Sequence, residues 1–171
     1  SGPAGTSAAI TAARLGMRVV LCERQSMRDS AARDKVCGEF VSAEALPLLR
    51  RLAPEALAGA PRISAAALIP RRGRRADFTL PAPGRGISRL RLDAALWRAA
   101  AAAGVECRAA AAIPPERAVA TVPAGAHILA CGRTEAGEGM GIKARFAGLE
   151  PWSAVELYGM PAGYCGVAAV E

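Results

Sequence analysis

The residues whose types and spacing most plainly imply chemistry lie at the amino end. Gly2, Pro3, Ala4 and Gly5 form a GxxG at the head of an apolar helix pattern, and Glu23 closes the strand pattern that follows. A dinucleotide site needs a glycine where backbone approaches a pyrophosphate and a second where helix packs on strand. It also needs a carboxylate about 20 residues further on to accept from ribose hydroxyls. All three are in place. A helix start at Gly2 to Gly5 would add free amides and the positive dipole end, both of which favour a phosphate. Glu23, with Arg24 after it, suits an unmodified ribose, because a carboxylate would repel a 2′-phosphate. The competing reading is an ordinary crossover with a solvated Glu23. The first glycine of the full GxGxxG would fall just before Ser1, so the sequence reads as a fragment cut within that loop.

Three other places carry candidate chemistry. The segment DKVCGEF, Asp34 to Phe40, sets a thiol, Cys37, and Gly38 between charged neighbours Lys35 and Glu39, which fits a buried core thiol poorly. Arg89, in GISRLRLD, falls at a helix N-terminus, where a cation is slightly unfavourable and needs another reason to be there. His127, the sole histidine, stands at the start of a strand pattern and reads as structural. No Ser/His/Asp set can be assembled around it, which disfavours hydrolase chemistry.

These residues need elements to hold them. The pattern predicts a helix from Ala4 to Leu15 stopped by Gly16, then a strand over Arg18 to Cys22. Val41, Leu46, Leu49, Leu52 and Leu57 recur at near-helical spacing, with Ser42 placed as N-cap and Pro54 as an interruption. Ile63 to Pro70 and Ala76 to Leu80 read as a hairpin around the RRGRR tip. Ser88 then caps a helix with Leu92, Leu96, Ala99 and Ala103 on one face, Gly104 ends it, and Val105 to Cys107 follows as a strand that can lie parallel to the first. Ala126 to Ala130 is a short apolar strand ending in Cys131 and Gly132, and Gly137, Gly139 and Gly141 make a link. IKARF, AVELYG and GYCGVAAVE alternate as an antiparallel sheet, the last reading as strand up to Glu171.

Of the 171 residues 52% are hydrophobic and 4% aromatic, so the core is built from Ala, Val, Leu and Ile. The formal charge of +7 gathers at Arg71, Arg72, Arg74 and Arg75. Without interleaved aromatics or a nucleic-acid-binding signature this reads as a solvated hairpin tip, with no nucleic-acid partner. It leaves attraction to a membrane surface open. Five scattered cysteines without a CxxC pair argue for reduced thiols in a cytoplasmic setting and against a metal site, and Cys22, Cys107 and Cys131 read as small core residues.

The order GPAG, VVLCER, KVCGEF, GISRLRLD and GYCGVAAVE resembles the geranylgeranyl reductase family of flavoproteins, within the p-hydroxybenzoate hydroxylase-like superfamily. The resemblance implies an α/β fold. A Rossmann-like FAD-binding parallel sheet with helices would take residues 1–62 and 87–137. A hairpin at 63–86 and the sheet from 138–171 would supply part of an antiparallel substrate lobe, truncated at both ends. It implies FAD, with Gly2, Pro3, Ala4 and Gly5 at the pyrophosphate, Glu23 and Arg24 at the adenosine ribose, and Arg89 reaching the cofactor. Cys37 and Gly38 match the family's CG pair beside the isoalloxazine, with Cys37 as the catalytic candidate. The implied activity is reduction of carbon–carbon double bonds in an isoprenoid or other small lipophilic substrate, with NAD(P)H or another reductant as electron donor. Cys131 and Gly132 stand where many members carry Asp-Gly. A flavin monooxygenase or halogenase on the same scaffold is the nearest rival, and a non-catalytic remnant is a third reading.

Overall fold

The computed structural model describes residues 2–26, 34–111, 113, 117, 125–132, 139–150 and 152–171. The chain is α/β and divides into two compact units, residues 1–35 with 90–141 and residues 36–89 with 142–171.

In the first unit the same local device occurs twice. Helix α1, Pro3–Arg14, is followed by strand β1, Val20–Cys22. A second helix, described below as α3, spans Arg89–Ala102 and leads into a strand at Glu106–Arg108. Alanine-rich composition favours both helices, and Pro3 sits at the N-terminal turn of α1, where its missing N–H costs nothing. Both helices end on a glycine in the left-handed region, Gly16 at φ 83° and Gly104 at φ 84°. Around Gly16 the Met17 amide donates to the Ala12 carbonyl and the Gly16 amide to that of Ala13, at 3.1 and 2.9 Å. Val105 to Ala100 and Gly104 to Ala101 repeat the pattern at 3.1 and 3.0 Å. This double closure satisfies the last carbonyls and reverses the chain into the strand. The two strands pair in parallel, Val20 with Glu106, Leu21 with Cys107 and Cys22 with Arg108. Gly5, Thr6, Ala9 and Ile10 form the buried stripe of α1, while Leu92, Leu96 and Ala100 do the same on the other helix. Burial also raises the Cys107 thiol above its ordinary pKa.

Gly16 makes a clean test of this device, because a Cβ there would meet no atom within 4 Å. Gly16→Ala is expected to cost about 1 kcal/mol from backbone conformation alone. Gly16→Asn should cost less. Denaturant midpoints of the two variants check both the size and the order.

The second unit is a five-stranded sheet in the order β2-β4-β3-β6-β7. Its strands are β2, Phe40–Val41; β3, Arg62–Ile69; β4, Ala76–Gly86; β6, Ala154–Met160; and β7, Gly163–Val167, with the first unit's Glu106–Arg108 counted as β5. Helix α2, Leu46–Leu52, and a 3₁₀ turn at Pro54–Leu57 bury Leu46, Leu49, Leu52 and Ala56, which join Ile63, Ala67 and Ile87 in this unit's core. The helix after Ser88, Arg89–Ala102, is α3.

Several expectations are corrected. The β3–β4 hairpin forms, with an exposed tip at Arg71 to Arg75, but β4 runs beyond Leu80 through Pro81 and Pro83 to Gly86. The prolines are tolerated because the register shifts there, between Ile63 opposite Gly84 and Ala65 opposite Thr79, so no ladder donor is required of them. Ser42 does not cap α2, whose N-cap is Ala45 without a side-chain bond. The Ser42 hydroxyl instead donates to Glu44, the main reason that exposed carboxyl lies below its ordinary pKa. The sheet is mixed rather than wholly antiparallel. β6 lies parallel to β3, which the long connection between them in sequence permits, and antiparallel to β7. The IKARF segment is not a strand, nor is Ala126 to Ala130. An apolar pattern becomes a strand only where a ladder partner exists, and Ile128 and Leu129 are left exposed. Cys131 is likewise exposed and is no core residue. Residues 168–171 leave the ladder of β7. Gly137, and most of the stretch from Arg108 to Ala126, lie outside the described residues.

Candidate dinucleotide site

α1 and β1 pack on one another across the chain reversal at Gly16. The N-terminus of α1 and the C-terminus of β1 therefore share one edge of the parallel sheet, the edge at which α/β sheets bind ligands. Gly2 is extended and precedes Pro3, and no side chain caps the helix. The first intrahelical bond is from the Thr6 amide to the Gly2 carbonyl, at 3.2 Å, so the amides of Gly2, Ala4 and Gly5 have no partner within the helix. Thr6, fully buried, donates its hydroxyl to the same carbonyl at 2.9 Å and fixes the first turn. A row of uncapped amides at a positive dipole end is a cradle that fits a pyrophosphate.

Glu23 lies beyond the last residue of β1 and is held from both sides. Its amide donates to the Arg108 carbonyl at 2.8 Å, and its own carbonyl accepts from the Ala111 amide at 2.9 Å. Its side chain is bound as well, Oε1 accepting from the Gln25 amide at 2.7 Å. At 6% exposure this is not the solvated carboxylate of the competing reading. Such a fixed, desolvated acceptor at the strand end fits a ribose diol. Arg24, next in the chain, is exposed.

The remaining candidates belong to the second unit. Cys37 is exposed and Gly38 has open space around it. The buried-thiol alternative for Cys37 is therefore excluded, and the residues of this unit do not supply it with a dry surrounding. Arg89 is half-buried at the first position of α3.

The link between the CG segment and Arg89 is a residue that sequence reasoning passed over. Glu39, 8% exposed, has its Oε1 within 2.8 Å of the Arg89 amide and 2.9 Å of both Lys143 Nζ and Arg145 Nη2, accepting from all three. Its carbonyl accepts from the Ile87 amide at 2.8 Å, and β2 continues the join by pairing Phe40 with Gly86. Glu39 adopts φ 54°, uncommon for a residue with a side chain and maintained here by bonds to both its carbonyl and its carboxylate. Glu171 adds a second carboxylate, accepting from the Ser88 amide at 3.0 Å and from the Ser88 hydroxyl. Two anions at a helix start are favoured by its dipole. Asp93, the last residue of the GISRLRLD segment, is buried in α3. One signal was available for the cations: Lys143 and Arg145 alternate at the spacing that places both on one side of an extended chain.

Gly2 to Gly5, Glu23 and Arg24 thus lie in the first unit, and Cys37, Gly38 and Arg89 in the second. Among the described residues no cluster of His, Cys, Asp and Glu could hold a metal ion, and no helix is long and apolar enough to cross a membrane.

No protein-family model matches the chain, and no curated protein does. Solved structures do. FqzB is 21% identical at a TM-score of 0.54, the match covering 66% of this chain and 27% of that one. The flavin-dependent brominase Bmp2 is 24% identical at a TM-score of 0.48, covering 63% and 27%. CtdE, solved in complex with FAD, is 21% identical at 0.47, covering 64% and 28%. The chain spans little more than a quarter of each of these proteins, and the likeness to FqzB is one of fold.

Proposed function

We propose that the chain is the cofactor-binding portion of an FAD-dependent oxidoreductase of the geranylgeranyl reductase type, which saturates carbon–carbon double bonds of an isoprenoid or similar lipophilic substrate. The observation that carries the cofactor reading is the uncapped start of α1 at the same sheet edge as the buried Glu23. In this reading the amides of Gly2, Ala4 and Gly5 hold the pyrophosphate and Glu23 orients the adenosine ribose. Arg89 reaches the cofactor from α3, and Cys37 and Gly38 lie beside the reactive ring. Bound FAD supplies hydride chemistry, and NAD(P)H or another reductant supplies the electrons. Cys37 would hold or relay the proton that the second alkene carbon needs.

One observation favours the rival, a flavin monooxygenase or halogenase. Read alone, KVCGEF offers no evident set of polar donors to hold an oxygen adduct, but the fold brings Lys143 and Arg145 to Glu39 at its end. The two are separated by turnover of reduced intact protein with a polyprenyl substrate. Saturated product under strict anaerobiosis is expected. Cys37→Ala should slow that step by roughly 100-fold, the low end of general acid catalysis, while changing FAD affinity much less. Product that forms only with oxygen and is hydroxylated or halogenated would move the assignment to the rival. Intact protein with no flavin absorbance would be a non-catalytic remnant.

A further inference from the structure

Both loops at one end of the five-stranded sheet project together. β3 and β6 are parallel with Ile69 opposite Tyr158, so the arginine tip after β3 and the Met160 to Gly163 turn after β6 emerge side by side. A Cβ on Gly159 would lie 3.4 Å from the Arg71 amide nitrogen. Of the tip's arginines, Arg75 is committed, pairing with Asp77 at 2.7 Å and Glu156 at 2.9 Å. Arg71, Arg72 and Arg74 are exposed and take part in no ion pair among the described residues.

The register also sorts the two faces of the sheet. Asp77, Glu156 and Tyr158 share one face, where Tyr158 donates to Glu156 at 2.6 Å and Arg75 joins them. The opposite face is apolar, with Leu68, Phe78, Leu157 and Tyr164 on it. Leu68, Leu157 and Tyr164, with Pro70 at the base of the arginine tip, line a groove of about 290 Å³. Met160 at the turn is 57% exposed and Tyr164 is 74% exposed. Three uncommitted arginines, an exposed methionine, an exposed tyrosine and an apolar groove thus meet at one end of one sheet.

We propose that this end of the sheet docks on an anionic lipid bilayer, with Arg71, Arg72 and Arg74 at the headgroup phosphates and Met160 and Tyr164 entering the interface. Charge complementarity selects the occupant. A net charge of +7 draws the chain to an anionic surface, and the arginine tip is its densest part. The apolar groove beside the tip suits acyl chains, which a soluble polyanion does not offer, and tyrosine is at home where one end of the ring is wet and the other dry. The inference does not depend on the flavin reading.

Co-sedimentation of the full chain with vesicles tests it. Binding to phosphatidylcholine mixed with phosphatidylserine is expected, with little to phosphatidylcholine alone and a decline as salt rises. Arg71→Ser, Arg72→Ser and Arg74→Ser together should lower the partition coefficient on the order of 100-fold, since each surface cation contributes about a factor of 5. Met160→Ser with Tyr164→Ser, which keeps the charge, should weaken binding several-fold and abolish what survives at high salt. Both sets lie on exposed positions outside the core, so the fold is retained. An unchanged partition coefficient in the arginine variant would overturn the proposal. So would vesicle binding that ignores the Met160 and Tyr164 changes and is displaced by double-stranded DNA, which would make the tip a general polyanion site.

Discussion

Glu39→Ala is expected to lower the stability of the five-stranded unit by about 3 kcal/mol, because it removes the buried carboxylate that accepts from the Arg89 amide, Lys143 and Arg145 together. The Lys143 side chain is 13% exposed and loses its carboxylate 2.9 Å away. Arg145, at 37% exposure, is better solvated and contributes less to the loss. The Arg89 amide at the head of α3 also loses its acceptor. Glu39→Gln keeps an acceptor for that amide and gives up only the charge, so it should cost less than the alanine change. Urea unfolding followed through Trp152, which belongs to the same unit, provides the measurement. A midpoint unmoved by Glu39→Ala would mean that Lys143 and Arg145 find water or other partners without penalty, and the group would then be a surface network.

The second large effect is on the cofactor. In intact protein, Glu23→Ala should raise the FAD dissociation constant about 5- to 150-fold, the equivalent of about 1–3 kcal/mol for a charged acceptor lost from buried hydroxyls. Part of any change could come from the Gln25 turn that the same carboxylate closes. Glu23→Gln separates the two, because an amide oxygen can still accept from Gln25 but offers ribose no charge. Affinity lost in both variants assigns the effect to the ribose contact. Loss in the alanine variant alone assigns it to the turn, and no loss in either removes Glu23 from the site.

What the sequence disclosed was local. The reversals at Gly16 and Gly104 each rest on a helix stop and a strand that follow within a few residues, and both parallel strands could be read from that. Glu39 could not, since its cations lie 104 and 106 residues away. The same distance hid Glu171, whose partner Ser88 is 83 residues earlier. Local pattern also misled. Pro81 and Pro83 look like the end of β4, yet the register shift beside them lets the strand continue. Ile128 and Leu129 look like a core strand, but a ladder is a property of two segments, and none of the described residues pairs with them. The GxxG and its carboxylate were legible because their separation is set by one helix and one strand. The grouping of Cys37 and Gly38 with Arg89 became visible only with Glu39 between them.

The central claim, that the edge formed by α1 and β1 holds a flavin dinucleotide, is tested most directly by the visible absorption spectrum of the purified intact protein, before and after denaturation. The account predicts a yellow protein that releases about one FAD per chain, identified by chromatography as the dinucleotide rather than FMN, in line with a site built for pyrophosphate and ribose. A colourless protein that takes up no FAD on titration would contradict it.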